Sequence, residues 1–178
     1  DRRRDLHRRI MEAIERLAPE RLAENVERLA HHAYHGEVWD KALGYLRQGG
    51  AKAFARSAIR EAIAYFEQAL AALSHLPETR ATIEQAIDLR FELRASLFAL
   101  MDLHKAITYI REAEQLATGI GDRHRLARVY IYTSHHFLLT GDAGEARALS
   151  WKALDIAESL CERPLQVVAN LYSGATCI

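Results

Sequence analysis

The sequence predicts an all-α protein, a solenoid of antiparallel helical hairpins, and three observations carry that prediction. Apolar residues recur at spacings of three and four along nearly the whole chain, as in helices with one buried face. The 178 residues include only nine Gly and three Pro, so the connections are tight, and no strand-like alternation runs beyond a few residues. Small and apolar positions then realign after 44 and after 40 residues, the length of two helices and two loops.

The stretch Ser57–Leu73 shows the design most openly. Ile59, Ala62, Ile63, Phe66, Ala69, Leu70 and Leu73 share one face, and Arg60, Glu61, Glu67 and Gln68 occupy the other. Before it, Asp1–Leu17 carries Leu6, Ile10, Ala13, Ile14 and Leu17 on one face behind a basic start. It begins without a capping residue, which reads as a piece of a longer polypeptide. Pro19 suits the first turn of a second helix, with Leu22, Val26, Leu29, Ala30 and Ala33 as its stripe and Gly36 near its end. A third helix spans Val38–Arg56, with Leu43, Leu46, Gly50, Ala53 and Phe54 inward. Its Gly49-Gly50 pair, at a cost of about 1 kcal/mol per glycine relative to alanine, permits either close backbone contact or a kink.

Downstream, helices are expected over Thr79–Leu100, Leu103–Ala117, Asp122 to about Thr140, Ala143–Leu160 and from Pro164 onward. Residues 1–36 form an N-terminal helical pair, a cap or the end of a preceding module. Residues 37–178 form the repeats, near 37–74, 79–118, 122–160 and a partial 163–178.

Aligning the second helices places Ala62, Ala106 and Ala146 in one column. Ala69, Ala113 and Ala153 form the next, and Leu73, Ala117 and Ala157 a third. Five residues before the first column stand Ser57, Met101 and Gly141, the turn within each hairpin. Asp102 and Asp142 follow two of those turns as capping residues should.

These residues resemble tetratricopeptide repeats. Ala62 and Phe66 match the family's second-helix pattern. Gly50, Ser134 and Gly174 match its small first-helix residue, Phe137 its aromatic, and Gly141-Asp142 its loop. Arg94 in a small-residue column, Ile110 and Ser150 in place of the aromatic, and periods above 34 depart from it, toward the family's longer repeats. The resemblance implies a right-handed α–α superhelix with a concave groove lined by first helices. More narrowly, Glu27–Leu73 looks like the segment that follows the ATPase module in bacterial multidomain signalling proteins, some with an adenylate-cyclase-like domain. Here no phosphate-binding glycine loop, kinase motif or cyclase motif is present, so such activity would belong to other domains.

By register, the groove takes Gly44, Arg47, Ala51, Phe54 and Ala55 from one repeat, and Asp88, Phe91, Ala95, Phe98 and Ala99 from the next. Arg128, Ile131, His135, Leu138 and Leu139 follow, then Val168, Leu171 and Ala175. The binding residues expected are Arg47, Phe54, Asp88, Phe91, Phe98, Arg128, Ile131, His135 and Leu138, an apolar site for a peptide or partner helix. The competing reading is that tight curvature buries part of this row between repeats.

Composition excludes several classes. Lys+Arg and Asp+Glu both count 24, so no net field recruits nucleic acid. No run of about 18 apolar residues suggests a membrane span, and a cytoplasmic setting is expected. Cys161 and Cys177 lie apart, with no CxxC pattern, and read as small apolar packers. Trp39 and Trp151 read as packing anchors at turns. His31 and His35 stand one helical turn apart, with His32 between and Glu27 one turn earlier. Two ligands at i, i+4 are only the start of a zinc site, so a solvated or partly packed helix end is expected, with no metal and no cofactor. Nothing supplies an acid, base and nucleophile together.

The sequence thus predicts a non-enzymatic interaction module, the sensor or regulatory arm of a larger cytoplasmic signalling protein. Its partner would be a peptide, a helix or its own ATPase module. The alternative is a solenoid that senses a small molecule and regulates an attached ATPase or cyclase. The final helix, lacking a partner, is expected to promote self-association through Val168, Leu171, Tyr172 and Ala175.

Overall fold

A computed structural model describes the backbone of residues 2–175 and the side chains through Leu171. Among the described residues all regular structure is helical: α1 (Arg2–Leu17), α2 (Val26–His35), α3 (Trp39–Ala55), α4 (Ile59–Leu73), α5 (Arg80–Ala99), α6 (Leu103–Gly119), α7 (Arg123–Thr140), α8 (Ala143–Ser159) and α9 (Arg163–Ala175). The expected boundaries hold to within a few residues, with one exception. Pro19 opens only a single 3₁₀ turn, Pro19–Arg21, and α2 begins at Val26. Asn25 explains the delay: its backbone amide and its side-chain amide both donate to the Arg21 carbonyl, closing a turn there.

The chain divides into two compact units at Leu100/Met101. In the first, each of α1 to α5 packs on its chain neighbour, α2 resting on α3 as a cap on the hairpins would. In the second, α6 to α9 pack in the same consecutive way, and α7 also touches α9. Connections this short leave sequential helices no choice but to run antiparallel.

One turn design is reused. Glu37, Ser57, Met101, Gly121, Gly141 and Cys161 each adopt a left-handed backbone, with φ between 54° and 91°. From Met101 onward they recur every twenty residues. In most of them the next amide bonds back across the turn, as Val38 N to Ala33 O, Ala58 N to Ala53 O, Asp122 N to Ala117 O and Asp142 N to Phe137 O. This closure satisfies the terminal carbonyls of the preceding helix. Asp102, Asp122 and Asp142 then cap the following helix, their Oδ1 atoms accepting the amides of Lys105, Arg125 and Glu145 at 3.0, 2.9 and 3.1 Å.

The aligned columns are core. Ala62, Ala69, Ala106, Ala113, Ala146, Ala153, Ala117 and Ala157 are all buried, as is Leu73. Such small side chains let paired helices approach closely. A Cβ added at Gly50 would lie 2.4 Å from the Phe66 ring of α4, so the glycine pair serves close contact. In the second unit the same column holds Ser134, buried and donating to the Ala146 carbonyl at 2.7 Å. That unit's core gathers Ala127, Ile131, Ala153, Leu154, Ile156, Ala157, Leu165 and Ala169.

Candidate functional site

Two clefts occupy equivalent places, one in each unit, between first helices of successive hairpins. In the first unit α3 and α5 border a cleft of about 420 Å³. Leu43 and Leu89 are its apolar members; Asp40, Arg47, Gln48, Gln85 and Glu92 give it polar walls, and Gly44 and Ala51 keep it open. Arg47 closes one wall by donating from Nε and Nη2 to Glu92 Oε1 at 2.9 and 2.7 Å. Nothing lies within 4 Å of a Cβ added at Gly44.

In the second unit α7 and α9 border a cleft of about 340 Å³ lined by His124, Arg128, Ile131, Tyr132, Glu162, Pro164, Leu165 and Val168. His124 Nε2 stands 3.1 Å from Glu162 Oε2 at its mouth. The Arg128 guanidinium lies 5.9 Å from the Tyr132 ring and 3.4 Å from its hydroxyl, holding both side chains along one wall.

The expected groove residues are therefore distributed unevenly. Arg47 lines the first cleft and Arg128 and Ile131 the second. Phe91 is only 4% exposed and Ile131 2%, so Phe91 is core and Ile131 offers no more than an edge. Phe54, at 39%, is the one clearly exposed aromatic of the set, while Asp88, Phe98, His135 and Leu138 are half-buried and outside both clefts. The α5 face that borders the first cleft is Gln85, Leu89 and Glu92. Sequence register misses it because α5 buries Ile87, Leu89, Phe91, Leu93, Ser96 and Leu97, too many directions for one stripe.

Other singled-out residues divide similarly. Trp39 anchors as expected, stacked on His75 with ring centroids 4.0 Å apart, whereas Trp151 is 53% exposed. Cys161 is exposed in its left-handed turn, not packed; Cys177 lies outside the described residues.

The histidines are arranged in a way local sequence does not disclose. His7, from α1, reaches His31, His32 and His35 of α2, its ring centroid 5.5, 5.0 and 5.3 Å from theirs. His31 and His35 lie 4.4 Å apart. Nδ1 of His7 and Nδ1 of His32 are 2.9 Å apart, a hydrogen bond in which one neutral ring donates. Burial, then the neighbouring His31, His7, Arg28 and His35, pushes the His32 pKa down; burial, His31, His7 and Arg3 do the same to His35. Alpha-1 is held close: a Cβ on Gly36 would meet the Arg8 backbone nitrogen at 2.9 Å.

No family model matches the chain, and no curated protein matches it. It is similar to the crystal structure of BtubC (BKLC) from P. vanneervenii, with a TM-score of 0.68 and 18% identity over 98% of this chain and 82% of that one. The fold is all-α and solenoid-like. At that identity the likeness extends to architecture and no further. Among the described residues, no helix is long and apolar enough to cross a membrane.

Proposed function

We propose that this chain is a tetratricopeptide-type interaction module without catalytic activity of its own, the regulatory arm of a larger cytoplasmic signalling protein. The observation that carries this reading is the first-unit cleft. It is an open channel between two first helices, floored by Leu43 over the buried Leu89 and edged by Asp40, Gln48 and Gln85. A glycine stands on its wall where a side chain would fit without contact. Short apolar floor and hydrogen-bonding rim suit an extended peptide, whose backbone and alternate side chains use both. A site for an apolar helix would instead need the phenylalanine row, from which Phe91 is withdrawn.

The test follows from Gly44. Gly44→Trp places an indole in the channel from a position where an added Cβ meets nothing within 4 Å, and wild type and variant are compared in quantitative capture of peptides from an array. The expected result is loss of the captured set in the variant at unchanged helicity. Equal recovery of every peptide removes the cleft reading.

A further inference from the structure

We propose that His7, His31 and His32 form a binding site for a divalent transition ion of the zinc type, tying α1 to α2. One donor nitrogen from each of the three lies within 4.8 Å of the others, and the His7–His32 pair is already at 2.9 Å. Around tetrahedral zinc, with Zn–N near 2.0–2.1 Å, imidazole nitrogens sit about 3.3 Å apart. The cluster straddles that value, and rotation of the exposed His31 ring closes the remaining gap. Three imidazoles leave a fourth position for water, or for His35, whose ring lies beside His31.

The chemistry of the surroundings agrees. Imidazole is a preferred ligand of borderline metals, and all four converging side chains are imidazoles. Glu27 faces Lys52 and Arg56, and Glu37 pairs with Arg4, so neither carboxylate competes for the rings. A lone histidine on a helix end has an ordinary explanation in solvation. Four rings converging from two helices bring together more imidazole than the solvation of one helix end accounts for. Metal capture would add a cross-link between segments 25 residues apart, where α1 already presses on Gly36.

Titration of the 178-residue chain with ZnCl2, followed by calorimetry and by the ring C–H resonances of all nine histidines, decides the matter. One equivalent is expected to saturate the protein, to shift the His7, His31 and His32 resonances, and to raise the melting temperature; MgCl2 does none of these. His7→Ala and His31→Ala each weaken zinc binding by at least about tenfold, since loss even of a ligand's supporting partner costs that much. His104→Ala, on an exposed face of α6, leaves it unchanged. No saturable zinc binding, shifts confined to other histidines, or undiminished affinity in folded His7→Ala overturns the proposal. The resonance shifts are read on the wild type and so stand even where a variant folds poorly.

Discussion

Gly44 and Gly50 lie six residues apart in α3, yet their surroundings give the same substitution opposite signs. A Cβ at Gly44 meets nothing within 4 Å, so Gly44→Ala gains helix propensity, up to about 1 kcal/mol. A Cβ at Gly50 falls 2.4 Å from the ring of Phe66, itself 2% exposed and unable to swing into solvent. Overpacking of that kind costs about 1–3 kcal/mol, more than the propensity gained. Urea denaturation is expected to move the midpoint up for Gly44→Ala and down for Gly50→Ala. Asp122 offers a second test at this scale. Burial alone would raise its pKa, but the Arg125 amide and guanidinium outweigh burial and hold its carboxyl below the usual range. A carboxylate depressed in the folded state contributes stability above its unfolded pKa, near 3.9, and loses it as pH falls through the folded value. Asp122→Ala is therefore expected to cost about 1–2 kcal/mol at neutral pH. Its deficit against wild type should close below about pH 4 in an acid-unfolding series.

At the scale of elements, the repeated turn is where the molecule stores strain. Glu37, Ser57, Met101 and Cys161 hold φ values of 54°, 62°, 59° and 55°, where a side chain costs roughly 1–2 kcal/mol relative to glycine. Gly121 and Gly141 show that the turn itself prefers glycine. Met101, 67% exposed, has little packing to lose, so Met101→Gly is expected to stabilise by about 0.5–1 kcal/mol in thermal denaturation. A matched Gly141→Ala should destabilise by a similar amount. The column Ser57, Met101, Gly141 is legible in sequence because each second helix sets its first buried alanine, Ala62, Ala106 or Ala146, at the same step after the turn, so alignment of buried alanines places the turn automatically. Helix starts were legible where an Asp caps them and not at α2, where Asn25 turns back on Arg21 instead. Second helices such as α4 and α8 bury one face and reveal their core residues. First helices such as α5 bury several, and periodicity then does not say that Phe91 points inward and Gln85 toward the cleft. The histidine site lay beyond reach for a different reason: the spacing of His31 and His35 is local, but His7 joins them only through tertiary packing.

At the scale of the whole molecule, charge and exposed apolar surface bear on association together. The formal charge is +0 at pH 7, with a sequence pI near 7.3, so near neutrality no net repulsion keeps copies apart. Helix α9 buries Leu165 and Ala169 but leaves Val167 and Leu171, one turn apart, 69% and 68% exposed; Tyr172 and Ala175, expected to extend that face, have side chains outside the described residues. Apolar side chains of that size, uncovered by their own unit, gain from a second copy by removing area from water at about 25 cal/mol per Å². The expected partner for this face is thus the same face of another molecule, in an arrangement that closes as a pair. Sedimentation at rising concentration near pH 7.3 should show a weight-average mass above 20.2 kDa. Val167→Glu with Leu171→Glu is expected to return it to the monomer value, because each carboxylate would have to be buried against its copy. Shifting the wild type two pH units from its pI should weaken the association only in part, since charge opposes contact at long range while the apolar face still gains by burial.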